Sequence, residues 1–369
     1  MRFGRWLGGA ALAALLGLAP AASALEIIKG PYLQHVTQTS MVVMWQTDAA
    51  ADSAVDYGPT ADYGSVASAP GSQTIHEVTL TGLAPDTAYH YRVRSGDIKS
   101  SDATLRTAVR PGTPFRFAVY GDSRSDPASH HRVIESMIAA KPRIVIHVGD
   151  VVGNGDNYDQ WQNEFFAPAA DLMREVPMYV AIGNHEHNTH WFYDLLSYPQ
   201  PENYYSFDYG SAHFVIVDTN QPYDEQSAQY KWLAADLASP AAQKADWLFV
   251  AFHHPGYSEG WDSPGYDGEE DVRSYLMPLF EKHGVDMVFN GHTHDYERGV
   301  FNGVHYILSG GGGAPLDQFC RGFEHIVTSL YVYHFCAVDI DGPNLTLQAI
   351  TPGGDVVDRM VARKRPWPR

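Results

Sequence analysis

Cysteine is nearly absent from this sequence: Cys320 and Cys336 are the only two in 369 residues. At most one disulfide can form, and in an oxidising compartment the pair is either that bridge or two buried thiols. Basic side chains are scarce too, with 25 Lys and Arg against 43 Asp and Glu and a formal charge of −18. Such a surface repels polyanions, so no nucleic acid partner is expected, and an anionic substrate needs cations supplied locally. Beyond the N-terminal stretch, no apolar run is long enough to span a bilayer. Internal repeats and low-complexity segments are also missing.

What is present begins with a leader. Met1-Arg2-Phe3-Gly4-Arg5 is followed by an apolar stretch from Trp6 to Pro20 and then by Ala22-Ser23-Ala24. A basic start, an apolar middle and a small-x-small site make a secretory signal peptide over residues 1–24, cleaved after Ala24. The mature chain is therefore expected to be secreted or periplasmic, without a membrane span. Its length allows two domains with substantial cores.

Residues 25–110 read as short strands broken by turns. Residues 40–47 and 52–57 are rich in strand formers, 76–80 alternate polar and apolar, and the Pro85-Asp86 turn feeds another alternating run to Val93. Such spacing predicts a β-sandwich. This stretch resembles a fibronectin type III domain, and Tyr89 stands where that family places its corner tyrosine. Its role is either substrate or surface contact, or packing against its neighbour.

The pattern changes at Val109-Arg110-Pro111-Gly112-Thr113-Pro114. From residue 111 to 369, predicted strands (115–120, 143–148, 178–182, 205–209, 213–218, 247–252, 285–289 and 304–308) alternate with predicted helices (127–141, 158–173, 225–237 and 271–283). Alternation of this kind gives an α/β core whose ligands gather at the carboxyl ends of strands.

Five of those ends carry metal-binding side chains. They read Gly121-Asp122-Ser123-Arg124, Gly149-Asp150, Gly183-Asn184-His185-Glu186, His253-His254-Pro255-Gly256-Tyr257, and Gly291-His292-Thr293-His294-Asp295-Tyr296-Glu297-Arg298. One Gly-Asp turn means little, because turns favour those residues. Five in order, each after an apolar strand, point to a shared metal rim. In the last, two histidines at i and i+2 aim two imidazoles at one point, with Gly291 letting the backbone turn.

With these motifs the chain resembles the calcineurin-like metallophosphoesterase superfamily, in its purple acid phosphatase-like branch. The resemblance implies an α/β fold: a metallophosphoesterase β-sandwich core flanked by helices, preceded by an all-β fibronectin type III-like sandwich. It also implies two metal ions, divalent or mixed-valence, from Fe, Zn or Mn. Asp122 and His294 would bind the first and Asn184, His253 and His292 the second, with Asp150 bridging both. His185 would protonate the leaving group or contact phosphate, and Glu186 would orient its neighbours. His254 is either a satisfied loop histidine or an outer contact. Tyr257 and Tyr296 would line the cleft or pack, Glu297 and Arg298 would form a structural pair, and Ser309-Gly310-Gly311-Gly312-Gly313-Ala314 would approach the site closely, offering backbone amides to phosphate.

Three positions depart from the family pattern. Gly153 stands where purple acid phosphatases carry the tyrosine ligand of ferric iron. Arg124 stands where related phosphoesterases carry a histidine, and a guanidinium is not a metal ligand. It is assigned a catalytic role as a phosphate clamp, with a salt bridge to a local acid as the alternative. Glu259-Gly260-Trp261-Asp262-Ser263 replaces substrate-binding histidines, and its acidity should disfavour highly charged phosphates. The expected function is an exported dinuclear-metal hydrolase that cleaves small phosphomonoesters through metal-bound hydroxide. A phosphodiesterase or nucleotidase is the nearest alternative, and a non-catalytic adhesion or binding protein is the reading from another class. Oligomeric state is not legible.

Overall fold

The computed structural model describes residues 1, 4, 24–261, 266–318 and 322–364. Most of the expected signal peptide lies outside them, as does Cys320. Cys336 is a free, buried thiol with its Sγ 3.6 Å from Ser309 Oγ. No helix among the described residues is long and apolar enough to cross a membrane.

The N-terminal part is all β, with six strands joined in one hydrogen-bonded array. The two short strands expected over 40–57 are a single strand, Ser40–Gly58, which pairs with Ile27–Gln34, Ser65–Thr81 and Ala88–Ser95 in turn. The exposed run between its halves stays in the strand although its register against Ser65–Thr81 shifts twice between Gln46 and Ser53, where bulges absorb the mismatch. Tyr89 does form a corner: its hydroxyl accepts the Ala84 N–H at 2.9 Å.

Two further sheets stack face to face. The first runs, in spatial order, Val356–Arg363, Asn344–Ile350, Phe335–Asp341, Phe115–Tyr120, Ile144–His147, Met178–Val180. The second runs Tyr205–Tyr209, Ala212–Ile216, Trp247–Ala251, Met287–Asn290, Val304–Ser309, Tyr296–Phe301, Ile326–Leu330. Phe117 on the first sheet meets Phe214, Phe249 and Phe289 on the second, with ring centroids 5.2, 5.2 and 5.9 Å away. The inner strands are parallel and buried along their length, which explains their near-continuous apolar sequences. The C-terminal antiparallel strands were not anticipated, since alternation in short segments such as Asn344–Ile350 is a weak signal.

Helices cover the outer faces. In Pro127–Ala140, the Asp126 carboxylate caps the Ala128 and Ser129 amides at 3.1 Å, Pro127 opens the helix and Lys141 closes it in a left-handed conformation. A cap of this kind contributes about 1 kcal/mol, and it fixes the exit of the loop that carries Asp122 and Arg124.

The N-terminal sheet shares the apolar core of the stacked sheets. Tyr32 packs its ring 4.9 Å from Phe166 and donates to the Leu195 carbonyl at 2.7 Å, and the Tyr91 hydroxyl donates to Arg174 O at 2.6 Å. Its Lys29 ammonium is buried, donates to Gln162 Oε1 at 2.9 Å and lies over the Phe166 and Tyr158 rings. These contacts pack the N-terminal module against its neighbour.

Candidate metal centre

Parallel strands in both sheets deliver their carboxyl ends to one rim. Phe115–Tyr120, Ile144–His147 and Met178–Val180 bring Asp122, Asp150 and Asn184 from one side; Trp247–Ala251 and Met287–Asn290 bring His253 and His292 from the other. The loops that carry them are tightly constrained. Asp122, Asp150 and His292 adopt left-handed backbone with φ of 55°, 59° and 78°, a region that costs a non-glycine residue energy and that folds tolerate mainly at functional sites. Gly291 is needed for space, whereas the left-handed turn expected of it falls on His292. A Cβ on Gly291 would lie 2.4 Å from Asp122 Oδ2.

One compact donor set stands out. His253 Nε2 lies 3.1 Å from Asn184 Oδ1 and 3.3 Å from Asp150 Oδ1, while His292 Nδ1 lies 3.0 Å from Asn184 Oδ1 and 3.2 Å from His253 Nε2. His253 Nδ1–H donates to the Val148 carbonyl at 2.9 Å, which aims Nε2 at the other donors. Burial lowers the pKa of this ring but Asp150 and Asp122 pull harder and raise it to about 9, so Nε2 holds its proton against Asp150 and a metal ion would displace that proton to take the lone pair. Electron-rich atoms in mutual contact at roughly 3 Å match the edge lengths around a cation whose bonds are about 2.0–2.2 Å. The set fits a metal ion. Burial lowers the pKa of His292, and burial together with His253 lowers that of His254 to about 3, keeping both rings in the neutral form that binds a cation.

The remaining predicted residues lie alongside. Asp122 is fully buried and its carboxylate accepts the His292 N–H at 3.0 Å. His294 Nε2 is 3.7 Å from Asp122 Oδ1. Burial and the neighbouring Asp150 push the Asp122 carboxyl well above its usual range. Burial also pushes Asp150 up, but His253 and His185 pull harder and the net shift is downward. His185 donates its backbone N–H to Asp150 Oδ1 at 3.0 Å and its Nδ1–H to the Gly153 carbonyl at 2.7 Å, leaving Nε2 free at the rim, 3.8 Å from Asp150 Oδ2. Arg124 forms a salt bridge to Asp150, Nε to Oδ2 at 3.3 Å. His254 is tied to Thr219 Oγ1 at 2.7 Å, and its ligand atom still falls in one group with those of His253 and His292.

Glu186 organises the floor. Its Oε2 accepts from Gly183 N at 2.6 Å and Asp150 N at 2.9 Å, and its Oε1 from Val151 N at 2.8 Å and Val152 N at 3.3 Å. An amide in its place would set an NH₂ against backbone donors. We therefore expect Glu186→Gln to weaken metal affinity about 10- to 100-fold, the usual effect of losing an outer partner, as read by titration with Mn²⁺. Unchanged affinity would reject this role. His147 is a second hidden support: it accepts from Gly149 N at 3.1 Å and meets Ser123 Oγ at 3.0 Å, linking the loops of Asp122 and Asp150.

Three expectations change, and for the two tyrosines the packing alternative holds. Glu297 and Arg298 do not pair with each other. Arg298 binds Asp358, Nε to Oδ2 at 2.6 Å, whereas Glu297 Oε1 accepts from Ser258 Oγ and the amides of Glu259 and Gly260 at 2.8, 2.8 and 3.0 Å. Glu259 turns its carboxylate to Phe323 N and Ser329 Oγ, so its own charge is spent on structure, while Asp262 and Ser263 of the same acidic loop lie outside the described residues. The amides of Gly310, Gly312 and Ala314 donate to Asp295, Gly121 and Asp122 carbonyls at 3.0, 2.9 and 2.8 Å, so they are not free for phosphate. Tyr257 packs against Phe301 and Phe323, and the buried Tyr296 donates to Asp358 at 2.7 Å. The aromatics at the site are instead Trp261 and Tyr266, with centroids 4.8 and 5.2 Å from the His292 ring. No periodicity in the sequence marked them, because both sit in irregular loop.

Comparison with known proteins agrees with this geometry. Residues 115–296 match the calcineurin-like phosphoesterase model and residues 30–107 match the purple acid phosphatase N-terminal domain. The chain thus carries a calcineurin-like phosphoesterase domain preceded by a purple acid phosphatase N-terminal domain. It is similar to purple acid phosphatase 15 of Arabidopsis thaliana, 30% identical over 66% of this chain and 54% of that one. It is also similar to probable inactive purple acid phosphatase 1 of the same plant, 29% identical over 66% of this chain and 50% of that one. The chain thus spans little more than half the length of these relatives. Its fold matches a purple acid phosphatase from yellow lupin (Lupinus luteus), with a TM-score of 0.81 and 22% identity over 91% of this chain and 74% of that one.

Proposed function

We propose that this chain is an exported, metal-dependent hydrolase of small phosphomonoesters, with a leader at 1–24, a fibronectin type III-like domain at 25–110 and a catalytic domain at 111–369. The observation that carries the reading is the contact set of Asp150 Oδ1, Asn184 Oδ1, His253 Nε2 and His292 Nδ1 at 3.0–3.3 Å. These residues would hold one ion of Fe, Zn or Mn; Asp122, Asp150 and His294 are the donors that the family resemblance assigns to another. Bound ions supply positive charge to the phosphate oxygens and lower the pKa of a coordinated water toward neutrality.

The chain's own groups do the rest. His185, anchored by its Nδ1–H on Gly153 O, presents Nε2 to the leaving oxygen; acting as the imidazolium it passes the Nε2 proton to that oxygen and is left neutral with its proton on Nδ1. Trp261 and Tyr266, packed edge to face with centroids 4.7 Å apart, make an aromatic corner beside His292, suited to an ester with an aromatic group. Arg124 offers N–H donors to a phosphate oxygen from the opposite side.

A binding protein on the same scaffold is the second reading, favoured by the relative named as probably inactive. Turnover of p-nitrophenyl phosphate against bis(p-nitrophenyl) phosphate, after chelation and after adding Mn²⁺, Zn²⁺ or Fe²⁺, separates the readings. We expect monoester turnover to exceed diester turnover, to vanish on chelation and to return with metal. Full activity in metal-free protein would overturn the proposal, and a metal-loaded protein inert on both esters would favour the binding reading.

A further inference from the structure

The donors assigned to a first ion are already engaged. Asp150 turns Oδ1 toward His253, and its other oxygen, Oδ2, accepts from Arg124 Nε at 3.3 Å. His294 donates Nδ1–H to the Pro315 carbonyl at 2.7 Å, which leaves the lone pair on Nε2 in the neutral ring; that nitrogen accepts from Arg124 Nη2 at 3.3 Å. Arg124 Nη1 is held by Ser125 Oγ at 3.3 Å. The guanidinium therefore spans the two atoms that would face the first ion. This disagrees with a dinuclear centre, in which those same lone pairs coordinate metal.

The surroundings reinforce the arrangement. A Cβ at Gly153 would lie 3.3 Å from Gln160 Oε1 and 3.4 Å from Glu164 Oε2, a close contact with the ends of two side chains, so glycine leaves this part of the floor without a side-chain ligand. Glu164 Oε2 also accepts the Gly153 and Ser125 amides at 2.8 and 3.0 Å, which fixes the loop that aims Arg124. Arg124 has no lone pair for a metal, and a guanidinium and a dication cannot share Asp150 Oδ2 and His294 Nε2 without strong repulsion.

We propose that Arg124 takes the place of the first ion. The protein then holds a single metal tightly in the Asp150, Asn184, His253 and His292 set, and the guanidinium supplies the second positive charge that a phosphate oxygen meets. The proposal rests on the metal-dependent hydrolase reading, and the experiment separates the two. Full-length wild-type protein, Arg124→His, Arg124→Ala and His292→Ala are equilibrated with Mn²⁺ and desalted, then measured by elemental analysis and electron paramagnetic resonance. Wild type should retain about one ion per chain with the spectrum of an isolated ion, against about two for a dinuclear centre. Arg124→His, which adds a ligand where the cation stood, should retain about twice as much and show an exchange-coupled pair, and His292→Ala should lose the tight ion. Two coupled ions in wild type, or no gain in either Arg124 variant, would overturn the inference. Wild type that retains no ion would instead overturn the hydrolase reading.

Discussion

Asp150→Ala should abolish both tight metal retention and phosphoester hydrolysis, the largest single effect available at this site. The carboxylate is almost wholly buried and every polar neighbour leans on it: His253 Nε2 at 3.3 Å, the His185 amide at 3.0 Å and Arg124 Nε at 3.3 Å. Alanine would leave the half-buried Arg124 guanidinium without its carboxylate and the His253 donor set without its only anion. The cost to the fold is below the ~3–5 kcal/mol of a fully buried pair, because Arg124 reaches solvent, and circular dichroism and thermal melting must accompany the assay. Activity within tenfold of wild type in a folded variant would contradict the assignment. Asp150→Asn keeps the shape and removes the charge, so it separates lost electrostatics from lost packing.

The second large effect concerns His185. Its ring makes no contact with His253 or His292 within the donor set; it is held by Gly153 O and stands partly exposed at the rim. His185→Ala should therefore retain metal as wild type does and lose turnover by roughly 10²-fold or more, the scale of a positioned acid. The split between the two readouts is the informative part. The loss should also shrink for an ester whose leaving group is already acidic, because such a group needs no proton. A variant that loses metal and rate together would make His185 a support of the loop.

Much of this centre was legible in the sequence. Each donor stands directly after a buried strand, and a parallel strand both declares itself by a continuous apolar run and delivers its end to a common edge. That logic picks out the five strand ends without knowledge of how the sheets stack, whereas the choice of Asp122, Asp150, Asn184, His253, His292 and His294 as ligands, with His253 preferred to His254, rests on the family resemblance. The strand-end logic could not show what Arg124 does, because reach and direction of a long side chain depend on the Ser125 and Glu164 contacts that aim it. Nor could it find Trp261 and Tyr266, or see that Glu297 holds the Ser258 to Gly260 segment rather than its neighbour Arg298. These are contacts between loops distant in sequence, and no local pattern encodes them. The same holds for Ser40–Gly58, where an exposed polar stretch suggested a break that pairing with the neighbouring strand bridges.

The composition shift near residue 110 divides the sequence, yet the apolar interior does not observe it. Leu33, Trp45 and Val93 from the N-terminal sheet belong to the same continuous core as Phe117, Phe166 and Phe289. Thermodynamically the two parts form one cooperative unit, so heat or denaturant should meet a single transition and not two. The phosphoesterase half, cut away, would present the apolar flank around Phe166 to water and so would lose solubility and stability as well as a neighbour. The N-terminal sheet is therefore a wall of the catalytic body, and variation within it reaches the metal rim through stability even where it touches no ligand.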